Sequence, residues 1–219
     1  MTSARRIISR TVRVLTVVLA VLPAVATGQE AAGAARTSAS PDAAPETIAR
    51  FNASLLEVMK RADELGYQGR YDTLAPVVRE TFDVAFMAAK TIGSTWRRLD
   101  SAERKRWVEA FEGYTVSNFA DRFDGFSGET LEIVGEKPAS HETLVVLTRL
   151  TRPGDDDVEL NYRMRDAGGG WRVVDIYADG TVSEVALRRS EYASVLKQGG
   201  IEKLIASVNA KTAQRAAGD

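Results

Sequence analysis

Apolar positions recur with a helical period through the first part of the chain and with a strand period towards its end. Ile48, Phe51, Leu55, Val58 and Ala62 lie three and four residues apart. This is the stripe of an amphipathic helix that starts near Glu46 and is ended by Gly66 or Gly69. Its polar face has little excess basic charge, so core packing explains the stripe better than a membrane surface does. Residues 71–92 predict one or two further helices, capped by Asp72 or Thr73. Pro76 then falls in the first turn, where its missing N–H costs little. Phe82, Phe86, Met87 and Ala89 crowd one side of this segment, and Gly93 ends it. The run Asp100-Ser101-Ala102-Glu103 predicts a capping box, with Asp100 as N-cap and Glu103 reaching back to its N–H. The long helix it opens extends to about Phe123. Its stripe of Trp107, Val108, Phe111, Tyr114, Thr115 and Phe119 is aromatic for a chain with only 7% Phe, Trp and Tyr. Such a stripe suits an ordinary aromatic core and a pocket wall equally well.

After Gly125 and Gly128 the period shortens to two. Four strands are predicted: around Leu131 and Ile133, then over 144–150, 158–164 and 171–177. The breaks at Lys137-Pro138, Pro153-Gly154-Asp155 and Gly168-Gly169-Gly170 make an antiparallel meander the simplest sheet. Leu160, Tyr162 and Met164 share one strand face; Asn161, Arg163 and Arg165 share the other. Asp179-Gly180 turns the chain out of the last strand. Val182, Val185, Ala186 and Arg189 then lead to Tyr192, Val195 and Leu196 with helical spacing. Gly199-Gly200 interrupts that helix, and Ile201, Leu204, Ile205 and Val208 resume an apolar stripe. Helices first, strands next and terminal helices last predict an α+β domain with helices packed on one side of a four-stranded antiparallel sheet. No internal repeat is present.

The chain has 219 residues, enough for one domain with a sizeable core. Its 29 basic and 30 acidic residues give no electrostatic reason to expect nucleic acid as a partner. With no cysteine, it has no disulfide, thiolate metal site, cysteine nucleophile or lipoprotein acceptor. Arg5, Arg6, Arg10 and Arg13 precede an apolar run over 14–25, shorter than the about 20 residues a membrane span needs. Ala24-Val25-Ala26 supplies a small-x-small cleavage pattern, so 1–26 is expected to be an export signal rather than an uncleaved anchor. Removing its four arginines leaves 25 basic against 30 acidic residues, a net charge of −5. Residues 27–45 are rich in Ala, Gly, Ser, Thr and Pro and predict a disordered linker. The folded domain is expected over 46–211, with a flexible tail over 212–219. An exported chain without cysteine suits the periplasm of a Gram-negative cell.

Candidate chemistry is sparse. His141 is the only histidine, stands just after a Pro-containing turn, and no carboxylate is spaced to pair with it. Asp155-Asp156-Asp157 reads as a solvated hairpin tip, since a calcium site needs six or more oxygens at set spacing. Arg97-Arg98, Arg104-Lys105-Arg106 and Arg188-Arg189 adjoin acids and read mostly as solvated faces, one of them available to a lipid headgroup or an anionic membrane. Asp175 lies in an otherwise apolar strand and is either a sheet-edge polar group or a buried carboxylate with a partner.

Several of these segments together resemble the MlaC-type, or toluene-tolerance, family of periplasmic lipid-binding proteins. They are Trp171-Arg172-Val173-Val174-Asp175, the turn Asp179-Gly180, Arg189-Ser190-Glu191-Tyr192, and Gly199-Gly200-Ile201 with Leu204-Ile205. A second region of resemblance runs over 82–114. Within the family, the stretch over 182–197 is closer to the hopanoid-associated branch than to the phospholipid-retrieval branch. The resemblance implies a non-enzymatic carrier of phospholipid or a hopanoid-like lipid. It further implies docking to an inner-membrane lipid transport complex, an ABC transporter or a resistance-nodulation-type exporter, and to an outer-membrane lipoprotein complex. No cofactor is implied.

Such a carrier must enclose its ligand. Removing an acyl chain of about fourteen methylenes from water is worth roughly 11 kcal/mol gross. An open groove does not recover this, so the chains must sit in an apolar cavity between helices and sheet, with the headgroup near solvent. Stripe and strand parity select Phe82, Phe86, Trp107, Phe111, Tyr114, Tyr162, Met164 and Tyr177 as its lining. Two rivals remain. One is an exported hydrolase or isomerase of similar shape, with Asp175 as a perturbed carboxylate. The other is a lipid-free interaction module whose apolar faces close without a cavity.

Overall fold

The computed structural model describes residues 43–218. The expected export signal and the linker up to residue 42 lie outside the described residues. Helix α1 spans Ala43–Lys60, starting slightly before the Glu46 expected for it, and is followed by α2 at Ala62–Thr81 and α3 at Val84–Ile92. Ile48, Phe51, Leu55 and Val58 are all fully buried, as their spacing requires. Gly66 takes φ 56° and leaves helical geometry inside α2, so one helical stretch ends there, as the sequence predicts, and a second begins. Pro76 lies inside α2, well past the first turn expected for it. At the end of α2 the chain becomes extended, and Phe82 bridges to Val173 while the Asp83 N–H donates to the Val173 carbonyl at 2.9 Å. Asp83 then caps α3 by accepting from the Phe86 N–H at 3.0 Å.

A 3-10 turn at Gly93–Arg98 leads to α4, Ser101–Arg122. The capping box read from the sequence is present in full, Asp100 accepting from the Glu103 N–H and Glu103 from the Asp100 N–H, both at 2.8 Å.

Five strands follow: β1 Thr130–Ala139, β2 Thr143–Thr151, β3 Val158–Asp166, β4 Trp171–Ala178 and β5 Val182–Ser183. They form one antiparallel sheet in the order β1-β2-β3-β4-β5, one strand more than the four predicted. Asp179 and Gly180 both have positive φ and the Thr181 N–H donates to the Ala178 carbonyl. This primed turn matches the twist of the strands it joins, so the chain folds straight back and Ser183 pairs with Tyr177. Ser183 then caps α5, Glu184–Ala216, so the tail expected from residue 212 is helical through Ala216. Gly199 and Gly200 leave helical geometry inside α5, Gly200 at φ 66°, which splits it where the sequence predicted a break.

A bulge in β4 changes the parity assumed from sequence. Met164 pairs with Val173 and Arg163 with Asp175, so one residue of β4 is left over between them. Beyond the bulge, Ile176 and Ala178 face the helices. Tyr177 pairs with Asn161 on the opposite face, which corrects its expected place in the lining.

Candidate functional site

The helix-facing side of the sheet is filled at one end and hollow at the other. At the filled end Phe51 holds the centre, its ring 5.1 Å from Phe82, 5.1 Å from Phe119 and 5.8 Å from Tyr162 in edge-to-face contacts. Met164 and Tyr162 are fully buried there. Trp107 is fully buried too, its ring edge-on to Tyr192 and its indole N–H donating to the Ala88 carbonyl at 2.9 Å.

At the other end a pocket of about 660 Å³ opens between α4, the start of α5 and the ends of three strands. The register pairs Leu150 with Val158 and Leu160 with Ala178, and with Ile176 these form the sheet wall. The opposite wall comes from α4, where Phe111, Tyr114, Asn118 and Arg122 recur on one face, with Phe119 beside them. Met59, Met87 and Val185 add to the lining, as do the polar and charged Thr115, Glu129, Arg152, Glu184 and Arg188; methionine thioethers adapt readily to irregular apolar ligands. The opening faces the loop after α4, because Arg122, Asp124, Gly125 and Ser127 line the pocket and are exposed.

Charge at the rim is organised by Arg188. This residue is buried, which corrects the solvated face expected for Arg188-Arg189. It pairs with Glu184 at 2.6 Å and Glu191 at 2.7 Å, and its guanidinium lies 5.1 Å from the Tyr114 ring centre. Burial opposes its charge, but Glu184 and Glu191 outweigh burial and hold its pKa above the ordinary arginine value. The Tyr114 ring also lies 4.8 Å from Arg215, so two cations flank one pocket-lining tyrosine.

Of the eight lining residues selected from sequence, Phe111 and Tyr114 line the pocket. Phe82, Trp107, Tyr162 and Met164 are in the filled core. Phe86 is half-buried between Arg165, 4.3 Å from its ring centre, and Lys90, at 4.9 Å. Tyr177 is on the far face of the sheet. The sequence reading passed over Leu150, Val158, Ile176, Ala178 and the two methionines. Leu160 was placed on the right strand face but not in the lining. Val158 and Ala178, shorter than Tyr162 and Met164 on the same sheet face, were the available signal, since a cavity needs side chains that stop short of the opposite layer.

The other candidates have structural occupations. Asp175 accepts from the N–H groups of Ile176 at 2.9 Å and Val185 at 3.1 Å and from the Ser183 hydroxyl at 2.6 Å. It therefore ties β4 to the N-terminus of α5. His141 is exposed at the β1–β2 hairpin with φ 60°. Asp155 pairs with Arg152 at 2.8 Å on an exposed hairpin. Among the described residues, no group of three His, Cys, Asp or Glu is arranged to hold a metal ion. Among the same residues, no helix is long and apolar enough to cross a membrane.

The family profile described as MlaC protein matches residues 26–210. No curated protein matches the sequence. Among solved structures, the chain is similar to the phospholipid-binding protein from Ralstonia solanacearum, determined in complex with a phospholipid. That protein shares 19% sequence identity, covers 79% of this chain and 98% of its own, and superposes with a TM-score of 0.70. At this identity the likeness concerns the fold.

Proposed function

This chain belongs to the MlaC family, and from that premise we propose that it is a soluble, non-enzymatic periplasmic lipid carrier. It holds the acyl chains of a phospholipid, or a hopanoid-like lipid, in the pocket between α4 and the sheet, and shuttles the lipid between inner- and outer-membrane components. The observation that carries this reading is the pocket itself: about 660 Å³, lined by apolar side chains from both the sheet and α4, with charged groups such as Arg122, Arg152, Glu184 and Arg188 among them. That volume lies within the ~300–1,000 Å³ of small-molecule sites, and the wall chemistry suits a ligand that needs few polar contacts. The phospholipid bound by the Ralstonia protein of the same fold supports the ligand class.

The energetics support a hand-over mechanism. A chain of about fourteen methylenes gains roughly 11 kcal/mol gross on leaving water, so escape into solvent is slow. Transfer then requires a docking partner in each membrane that accepts the chain directly. On the inner side this is a lipid transport complex, on the outer side a lipoprotein complex. The rival hydrolase or isomerase reading relied on Asp175, whose carboxylate is engaged with the start of α5 and lies outside the pocket lining.

Native mass spectrometry of the protein purified without detergent from a periplasmic extract tests the proposal. A co-purifying two-chain phospholipid is the expected result, and a pentacyclic lipid in its place assigns the carrier to hopanoids. A chain that stays empty after incubation with lipid vesicles rejects the carrier reading.

A further inference from the structure

A second pocket adjoins the first. It measures about 430 Å³, lies between α2 and the ends of α4 and α5, and shares Asp124 with the apolar pocket. Its chemistry is the opposite of its neighbour's. Arg70, Lys211 and Arg215 line it together with Asp121, Asp124 and Gln214. Lys211 and Arg215 are four residues apart on α5 and so present both cations on one side. Arg70 is buried and fixed to the Ala120 carbonyl at 2.9 Å. It lends positive potential to the pocket from a rigid position.

Arg215 is the group whose chemistry is incomplete. Its Nε reaches Asp121 at 3.3 Å and its plane covers Tyr114, the residue that lines the apolar pocket from the other side. Its Nη1 is buried and meets no hydrogen-bond partner among the described residues. A buried guanidinium N–H calls for an acceptor, and phosphate oxygens match its geometry. Two carboxylates in the same pocket disfavour a plain anion, whereas an ammonium tethered to the phosphate gives them a partner.

We propose that this pocket binds a zwitterionic phosphate–amine group, the phosphate on Arg215 and Lys211 and the ammonium on Asp121 and Asp124. Resting on the carrier reading, this makes it the headgroup site of a phospholipid whose acyl chains occupy the adjoining pocket, with Asp124 at the junction. Headgroup choice is then made by the C-terminal end of α5, separately from the apolar walls.

Two measurements on the full chain test this. In the first, O-phosphoethanolamine and inorganic phosphate are titrated in turn while the Gln214 amide signals are followed by NMR. Saturable shifts are expected with phosphoethanolamine, at about tenfold lower concentration than with inorganic phosphate, the worth of one charge-assisted hydrogen bond. In the second, lipid uptake from vesicles of mixed phosphatidylethanolamine, phosphatidylglycerol and diacylglycerol is read by native mass spectrometry. Wild type is expected to prefer phosphatidylethanolamine by about tenfold. The Lys211→Gln, Arg215→Gln double variant is expected to lose that preference among the lipids it takes up. Lys211→Glu alone, on the exposed face of α5, provides the same test if the double variant does not fold. A preference unchanged in the variants, or no shift with phosphoethanolamine, overturns the headgroup site. Phosphoethanolamine binding by a protein that takes up no lipid supports the site as one for a soluble phosphoamine and rejects the carrier reading instead.

Discussion

The two ends of the helix–sheet interface are made from the same strands and the same long helix, yet one is solid and the other hollow. Phe119 marks the boundary, since it touches Phe51 on one side and lines the pocket on the other. Towards the closed end β3 contributes Tyr162 and Met164 against Phe51 and Phe82. Towards the open end the same face of the sheet contributes Val158, Leu160, Ile176 and Ala178. Side chains that meet across the gap make a core, and side chains that stop short leave a cavity. The pocket therefore depends on residue volume along one face, against a filled aromatic cluster that keeps the two layers apart.

The sharpest way to break this contrast is to empty the closed end. Phe51→Ala removes the ring at the centre of the cluster and is expected to cost about 3–5 kcal/mol, the range for a buried phenylalanine. Urea unfolding measures the loss. Lipid uptake by the folded fraction should persist, because the pocket walls are elsewhere. A cost near 1 kcal/mol would mean that the closed end collapses around the gap and is not the rigid spacer described.

At the open end, Arg188→Met tests whether the rim is held by charge. Arg188 is 11% exposed in its side chain and pairs with Glu184 and Glu191, which are 29% and 40% exposed. Breaking a fully buried pair costs about 3–5 kcal/mol, but these carboxylates regain solvent, so about 2 kcal/mol is expected. Thermal unfolding reads this. An unchanged melting temperature would assign the rim to apolar contacts of Tyr114 alone.

Filling the hollow is the converse experiment. Ala178→Trp places a large ring opposite Leu160 inside the pocket, and uptake of lipid from vesicles should fall at least about tenfold, or roughly 1.4 kcal/mol. Stability should change little, because a cavity accepts the new volume without displacing a filled core. Undiminished uptake would place the ligand outside this pocket.

This contrast also explains what was legible in the sequence. Periodicity reported which residues face inward: Ile48, Phe51, Leu55 and Val58 on α1, and Leu160, Tyr162 and Met164 on β3. The capping box at Asp100 and the break at Gly199-Gly200 were equally plain, because both are local chemistry. Periodicity carries no information on whether an inward face meets a partner layer. The aromatic choice Trp107 thus went to the core, while Ala178 and Ile176 lined the pocket. Tyr177 was misplaced because the bulge in β4, set by pairing with β3, reverses parity without a Gly or Pro to announce it. Likewise β5 is a two-residue strand that only its partner defines. The two cations flanking Tyr114 come from residues far apart on α5 and were beyond any local pattern.

The smallest expected effect concerns the polar atom that the closed end conceals. Tyr162 is fully buried and its hydroxyl has no hydrogen-bond partner among the described residues. Tyr162→Phe removes a desolvated, unpartnered group and keeps the ring against Phe51, so it should stabilise the protein by about 1 kcal/mol at neutral pH. Burial also favours the neutral phenol and raises its pKa above the ordinary tyrosine value. Below about pH 10 the folded and unfolded states both keep this proton. Above it the unfolded chain loses the proton first, so wild-type stability should fall as pH rises, and Tyr162→Phe should fall less steeply. Tyr192, raised mainly by burial as well, remains in the variant and leaves a residual slope. Denaturant midpoints from pH 7 to 11 measure both effects. A variant about 1 kcal/mol less stable than wild type at neutral pH would reveal a satisfied hydroxyl, and the closed end would then be a hydrogen-bonded core in place of a purely apolar one.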